Sequence, residues 1–171
     1  MGIGSTGYKI VFLLHILCAI IGFGAVMLNG IYAAEVKKRR GAEGLAILQA
    51  NTRVSQIGEI FIMAVPLFGI GLVFMSDGAW RFSQTWVWSA LGLFVVALGI
   101  SLGFMAPAVK RQEGLMKELL AGGPPPAGAS EGPPPQVAQL EANGKKMAMA
   151  GGLLHLALVT MLFLMIFKPG V

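Results

Sequence analysis

Hydrophobic residues gather along this chain into four long, nearly uncharged runs separated by polar stretches. Neither strict alternation nor a one-sided helical stripe accounts for runs of that length. The first run, Ile10 to Ala34, carries no charge. At ~1.5 Å per residue its roughly 25 residues cross a hydrocarbon core of about 30 Å with some tilt. It leads directly into Lys37, Lys38, Arg39 and Arg40, and is longer than the apolar part of a signal peptide, so it is expected to stay attached. The second span, 57–75, has Glu59 near its start and Pro66 in its middle. A proline there removes one backbone hydrogen bond, which predicts a kink that neighbouring helices tolerate. A turn at Ser76, Asp77 and Gly78 follows, with Trp80, Trp86 and Trp88 nearby as an interfacial aromatic belt. The third span, 86–106, ends near Pro107, Lys110 and Arg111 and is expected to continue as a surface helix to Leu120; the fourth covers 147–167. The pattern therefore predicts an all-α polytopic membrane protein, with four transmembrane helices in an antiparallel bundle and one membrane domain over residues 1–171.

Between the third and fourth spans lies a linker, 110–146. Its central part, 122–135, holds six of the nine prolines in two PPP runs among Gly, Ala and Ser. That composition cannot bury a core and predicts disorder; the PPP runs read as linker in preference to a ligand for an SH3-like partner.

Composition sharpens the membrane reading. The chain is 56% hydrophobic and 12% charged with a mean hydropathy of +0.74, too apolar for a soluble domain to cover with polar surface. The net charge of +5 would raise the question of nucleic acid in a soluble protein. Here the basic residues flank the spans, no nucleic-acid module is visible, and the first partner is membrane lipid. Ten Lys and Arg fall in the two loops that join spans one to two and three to four, against Lys9, Arg81 and Lys168 on the other side. The positive-inside rule then makes both loops cytoplasmic and puts both termini outside the cytoplasm. The single cysteine, Cys18, excludes an internal disulfide and a site of paired cysteines.

Helix association in lipid relies on small residues and polar pairs. Ser89, Gly92, Val96, Gly99 and Gly103 form a small-residue stripe that includes a G-x-x-x-G, and is expected to face another helix. A membrane protein partner or a homo-oligomer is the alternative use of that stripe. His15, Ala19, Gly22, Val26 and Asn29 form a similar stripe on span one.

The two histidines, His15 and His155, both fall inside spans, where polar groups pair, bind a ligand or line a path. Helix geometry puts their Cα atoms roughly 13 Å apart, a spacing that suits two imidazoles on opposite faces of one haem b. The structural alternative is a neutral histidine bonded to a helix carbonyl or a hydroxyl such as Thr160 or Ser89. Cys18, three residues from His15 on the same face, allows a soft copper site with it, though no Met-x-x-Met motif accompanies the pair. Glu59 is a candidate proton carrier or an ion-pair partner for Arg53. Two short matches carry no function. The spacing of Gly2, Gly4 and Gly7 fits a dinucleotide motif but has no strand before it, and the myristoylation pattern of Gly2 and Thr6 is redundant beside a first span.

The segments KIVFLLHIL in span one, the WVW before a Gly-rich span ending at Ala-Pro, and the terminal MIFKPG resemble a domain-of-unknown-function family of small bacterial four-helix integral membrane proteins. That layout is similar to the copper-resistance D type and to the membrane-bound protoporphyrinogen oxidase type, which place a histidine early in the first helix. The resemblance implies a bacterial inner membrane and carries over His15. The oxidase type also uses a lysine in its membrane region, and no span of this chain contains one.

No complete catalytic motif is present. The leading expectation is a haem-binding or accessory component of a bacterial membrane redox system. The alternatives are a non-catalytic membrane scaffold with structural histidines and a small copper or proton-coupled transporter.

Overall fold

The structure, a computed structural model, describes residues 2–123 and 134–170. Most of the expected disordered segment 122–135 lies outside the described residues. The protein is an all-α, multi-pass membrane protein. Four helical stretches, Thr6–Lys38, Ala42–Met75, Thr85–Ala121 and Pro135–Phe167, are long and apolar enough to cross a bilayer.

The first stretch is two helices, α1 (Thr6–Met27) and α2 (Asn29–Lys38), interrupted at Leu28. Ser5 caps α1 by accepting from the Tyr8 N–H at 3.3 Å, so the helix starts before the uncharged run does. The interruption was not anticipated. It coincides with an Asn29–Gly30 pair, both weak helix formers. α3 (Ala42–Met75) continues through Pro66. α4 (Thr85–Ile100) passes into a π-helical turn, Ser101–Met105, and then into α5 (Ala106–Ala121). The expected continuation to Leu120 is present as α5, and the break near Pro107 takes the form of a wide turn. A proline ring collides with the carbonyl four residues earlier, here in Gly103, and the π turn gives that carbonyl room. α6 (Pro135–Phe167) begins well before the expected span, with Pro135 in the first turn, where its missing N–H costs nothing.

The chain forms two compact units. The first comprises Met1–Leu28, Arg53–Ala97 and His155–Val171. Its buried residues include Tyr8, Cys18, Val65, Leu72, Trp86, Ala90, Leu158 and Met161. Ile60, Leu67 and Phe74, spaced by seven on α3, are at least 70% exposed, which is the lipid-facing stripe of a helix whose other face is packed. α1 and α3 approach most closely at two glycines. A Cβ on Gly22 would lie 2.8 Å from the Ile62 backbone nitrogen and 3.1 Å from the Gly58 carbonyl oxygen; one on Gly58 would lie 2.7 Å from the Ala25 Cβ. Only glycine allows these backbones to come so near. At the end of α3, buried Ser76 accepts the Trp80 N–H at 2.9 Å and donates within the same turn, while Gly78 takes φ +83°.

The second unit comprises Asn29–Thr52 and Leu98–Leu154. Its centre is Asn143 on α6, buried, whose amide donates to the Ala108 carbonyl at 2.9 Å and to Gln112 Oε1 at 2.8 Å. Glu113 accepts from Gln49 at 2.9 Å and pairs with Lys117 at 2.7 Å. Hydrogen bonds from Lys117, then from Gln49, hold its carboxyl below the ordinary range. Glu35 pairs with Lys38 at 2.8 Å and with Arg39 at 3.7 Å.

The glycine stripe on the third span does not pack as expected. Among the described residues nothing lies within 4 Å of a Cβ placed on Gly92, Gly99 or Gly103. The π turn Ser101–Met105 begins after Gly99 and takes in Gly103, so a pair spaced for one α-helical face no longer stacks. The close packing sits instead on Gly22, from the span-one stripe, and on Gly58.

Candidate functional site

Within the first unit, α1, α3, α4 and α6 surround a cavity of about 610 Å³, well within the range of small-molecule and cofactor sites. Its wall is almost wholly apolar, with Phe12, Phe23, Phe82 and Phe94 among the lining residues. The polar exceptions are Tyr8, His15, Trp80, Trp86 and Lys168.

His15 is held from α3. Its Nδ1 lies 2.9 Å from the Val65 carbonyl oxygen, and Gly69 leaves room for the ring, since a Cβ there would meet His15 Cε1 at 3.2 Å. A carbonyl only accepts, so Nδ1 must carry the proton and Nε2 the lone pair of the neutral ring. Among the described residues Nε2 has no hydrogen-bond partner, and it is not a sealed, orphaned atom. Pro66, which also lines the cavity, removes the N–H that would have met the Ile62 carbonyl. The Val65 carbonyl keeps its helical partner and uses its second lone pair for the imidazole.

One end of the cavity is closed by an aromatic and cationic cluster. Trp80 Nε1–H donates to the Tyr8 hydroxyl at 3.1 Å, and the Trp80 and Trp86 rings meet edge to face at 5.7 Å. Lys168 Nζ stands 3.7 Å from the Trp80 ring centroid, a cation–π contact. Lys168 itself adopts φ +44°, a left-handed conformation that turns the chain out of α6.

The two histidines are not brought together. His155 Nε2 lies 3.3 Å from the Met27 carbonyl oxygen. Met27 and His15 sit on the same helix twelve positions apart, about 18 Å along its axis. The His15 side chain also tilts toward the N-terminus, away from that level. The expected bis-histidine arrangement on one iron needs both imidazoles at a single atom, and this separation does not provide it. His155 serves the interruption at Leu28, where α1 ends and its last carbonyls lack helical donors. In hydrocarbon such a carbonyl is costly to leave bare. Each histidine thus meets a carbonyl, and Thr160 donates to the Leu156 carbonyl of its own helix at 2.9 Å.

Cys18 is buried but does not line the cavity that His15 enters. Among the described residues no group of three or more His, Cys, Asp or Glu side chains comes together. Glu59 is half-buried on α3 beside Gly58, and no ion pair with Arg53 forms among the described residues. Sequence reasoning missed Gly69, Lys168 and Tyr8 as site residues. Gly69 had a readable signal, three residues beyond Pro66 on the same helical face. Lys168 and Tyr8 had none, because they lie at opposite chain ends.

Compared with protein-family models, curated proteins and solved structures, the chain matches none.

Proposed function

We propose that this protein is a multi-pass component of a bacterial inner membrane that holds haem b in the cavity of the first unit, with His15 as its axial ligand, and serves a membrane redox system as a haem-binding or accessory component. The observation that carries this reading is the His15 bond to the Val65 carbonyl. Metal-ligating histidines characteristically donate one ring N–H to a carbonyl or carboxylate, which fixes the tautomer and raises the basicity of the other nitrogen. His15 has that arrangement, with Nε2 available and an apolar cavity lined in part by aromatic rings beside it. Lys168 offers a cation at the cavity end for an acidic edge of the ligand. Haem would supply one-electron chemistry when bound. The chain's own residues set the imidazole's orientation through Val65 and Gly69, and phenylalanine side chains make much of the surrounding wall apolar. The charge asymmetry supports cytoplasmic loops with both termini on the other side.

The scaffold reading rests on His155, whose bond to Met27 accounts for an intramembrane histidine without any ligand.

The test is an optical spectrum of the detergent-purified protein from cells supplied with a haem precursor, oxidised and then reduced with dithionite. A Soret band with sharp reduced bands, lost in His15→Ala and kept in a folded His155→Ala protein, is expected. A well-folded preparation that stays colourless after haem is added would sink the haem reading and leave the scaffold in its place.

A further inference from the structure

The second unit contains a separate pocket that the haem reading does not use. It occupies about 310 Å³ between α5 and α6 beside the π turn. Its lining combines Gly103, Phe104 and Pro107 with two cations, Arg111 of α5 and Lys146 of α6. Asn143 and Ala108, which bond to each other, lie in the wall as well.

Among the described residues no carboxylate lines this pocket. Among the described residues neither Arg111 nor Lys146 forms an ion pair, as is also true of Lys37, Arg40, Lys110 and Lys145 of the same unit; what sets Arg111 and Lys146 apart is that they line one pocket. The polar contact of Arg111 is Gln139 Oε1, at 3.5 Å. Two cations from different helices thus share one concavity without an anion, next to an apolar wall. Gly103 and Phe104 of that wall belong to the π turn, and among the described residues a Cβ on Gly103 would meet nothing within 4 Å. π turns recur at ligand sites because they break the regular face of a helix.

We infer that this pocket binds an anionic phospholipid, its phosphate between Arg111 and Lys146 and the start of an acyl chain against Gly103, Phe104 and Pro107. Arginine supplies a planar fork for phosphate oxygens and lysine a point charge. Basic pockets between membrane helices at the cytoplasmic level are the usual receptors for acidic headgroups. The apolar wall is what separates a lipid from a free phosphate, which would have no use for it.

The experiment is native mass spectrometry of the full-length protein in a neutral detergent, titrated with phosphatidylglycerol or phosphatidylcholine, with glycerol phosphate and inorganic phosphate as competitors. One phosphatidylglycerol per chain is expected to be retained in preference to phosphatidylcholine. Arg111→Gln and Lys146→Gln should each weaken that retention about fivefold, the loss of one lysine or arginine contact near a membrane surface. Lys117→Gln, which removes a charge outside the pocket, should leave it unchanged, and Gly103→Leu, which fills the apolar wall, should weaken it without altering charge. Equal retention of the two lipids, or an equal loss in Lys117→Gln, would overturn the proposal by reducing it to net charge. Competition by glycerol phosphate as strong as by the whole lipid would overturn it in favour of a soluble phosphate ligand. Circular dichroism of each variant separates these results from misfolding.

Discussion

Replacing Gly22 with alanine is expected to force α1 and α3 apart at their closest approach. The new methyl carbon would sit 2.8 Å from both Ile62 N and Ile62 Cγ1 and 3.1 Å from the Gly58 carbonyl oxygen. Non-bonded atoms rest at about 3.5–4.0 Å, so each contact is short by several tenths of an ångström to about 1 Å. The Ile62 side chain can rotate, but its backbone nitrogen and the Gly58 carbonyl cannot, so helix separation is the only relief. Overpacking of this kind costs about 1–3 kcal/mol. Alanine also gains about 1 kcal/mol of helix propensity over glycine, and this gain must be removed before the clash can be read. Gly92→Ala supplies the correction, since among the described residues its Cβ meets nothing within 4 Å. The quantity to measure is the difference in unfolding free energy between the two variants in detergent micelles, by titration with sodium dodecyl sulfate and far-ultraviolet circular dichroism. Gly22→Ala should fall below Gly92→Ala by about 1–3 kcal/mol. Gly58→Ala should behave like Gly22→Ala, and Ala25→Gly should partly rescue it, because the Ala25 Cβ is its nearest obstacle at 2.7 Å. Equal stability of Gly22→Ala and Gly92→Ala would refute the assignment of this crossing as the tight contact.

Two further outcomes follow from the second unit. Asn143→Ala leaves the Ala108 carbonyl and Gln112 without their shared donor and should cost about 1–3 kcal/mol in the same unfolding assay; full stability would show that water replaces the amide there. Glu113→Gln should lower stability near neutral pH by no more than about 1 kcal/mol, since its Lys117 partner is largely exposed. Because the folded carboxyl is held below its ordinary value, its contribution is present above the unfolded pKa and is lost as pH falls through the folded pKa. The gap between Glu113→Gln and the native protein should therefore close in acid, and a gap that widens instead would contradict the sign.

The four spans were legible because the bilayer sets a length and a polarity that local sequence must satisfy. Ile10–Ala34 and Met147–Phe167 satisfy them by composition alone. The flanking basic residues carried the expected orientation in the same local way. His15 and His155 stood out as the polar residues that hydrocarbon tolerates least, and Gly22 lay on a readable stripe. Which partner each would meet was another matter. The G-x-x-x-G at Gly99 and Gly103 had the right spacing for packing but its second glycine falls inside a π turn, and no window of sequence declared that turn. Asn143 looked like part of a linker, yet it joins α5 to α6. Lys168 and Tyr8 meet the same tryptophan from opposite termini. Sequence by itself determined what must enter lipid, because transfer into hydrocarbon is a sum over neighbouring residues. Tertiary structure alone decided that His15 answers to Val65 and His155 to Met27, because a hydrogen bond depends on a few ångströms of helix depth and rotation, which only the packing of all the helices fixes.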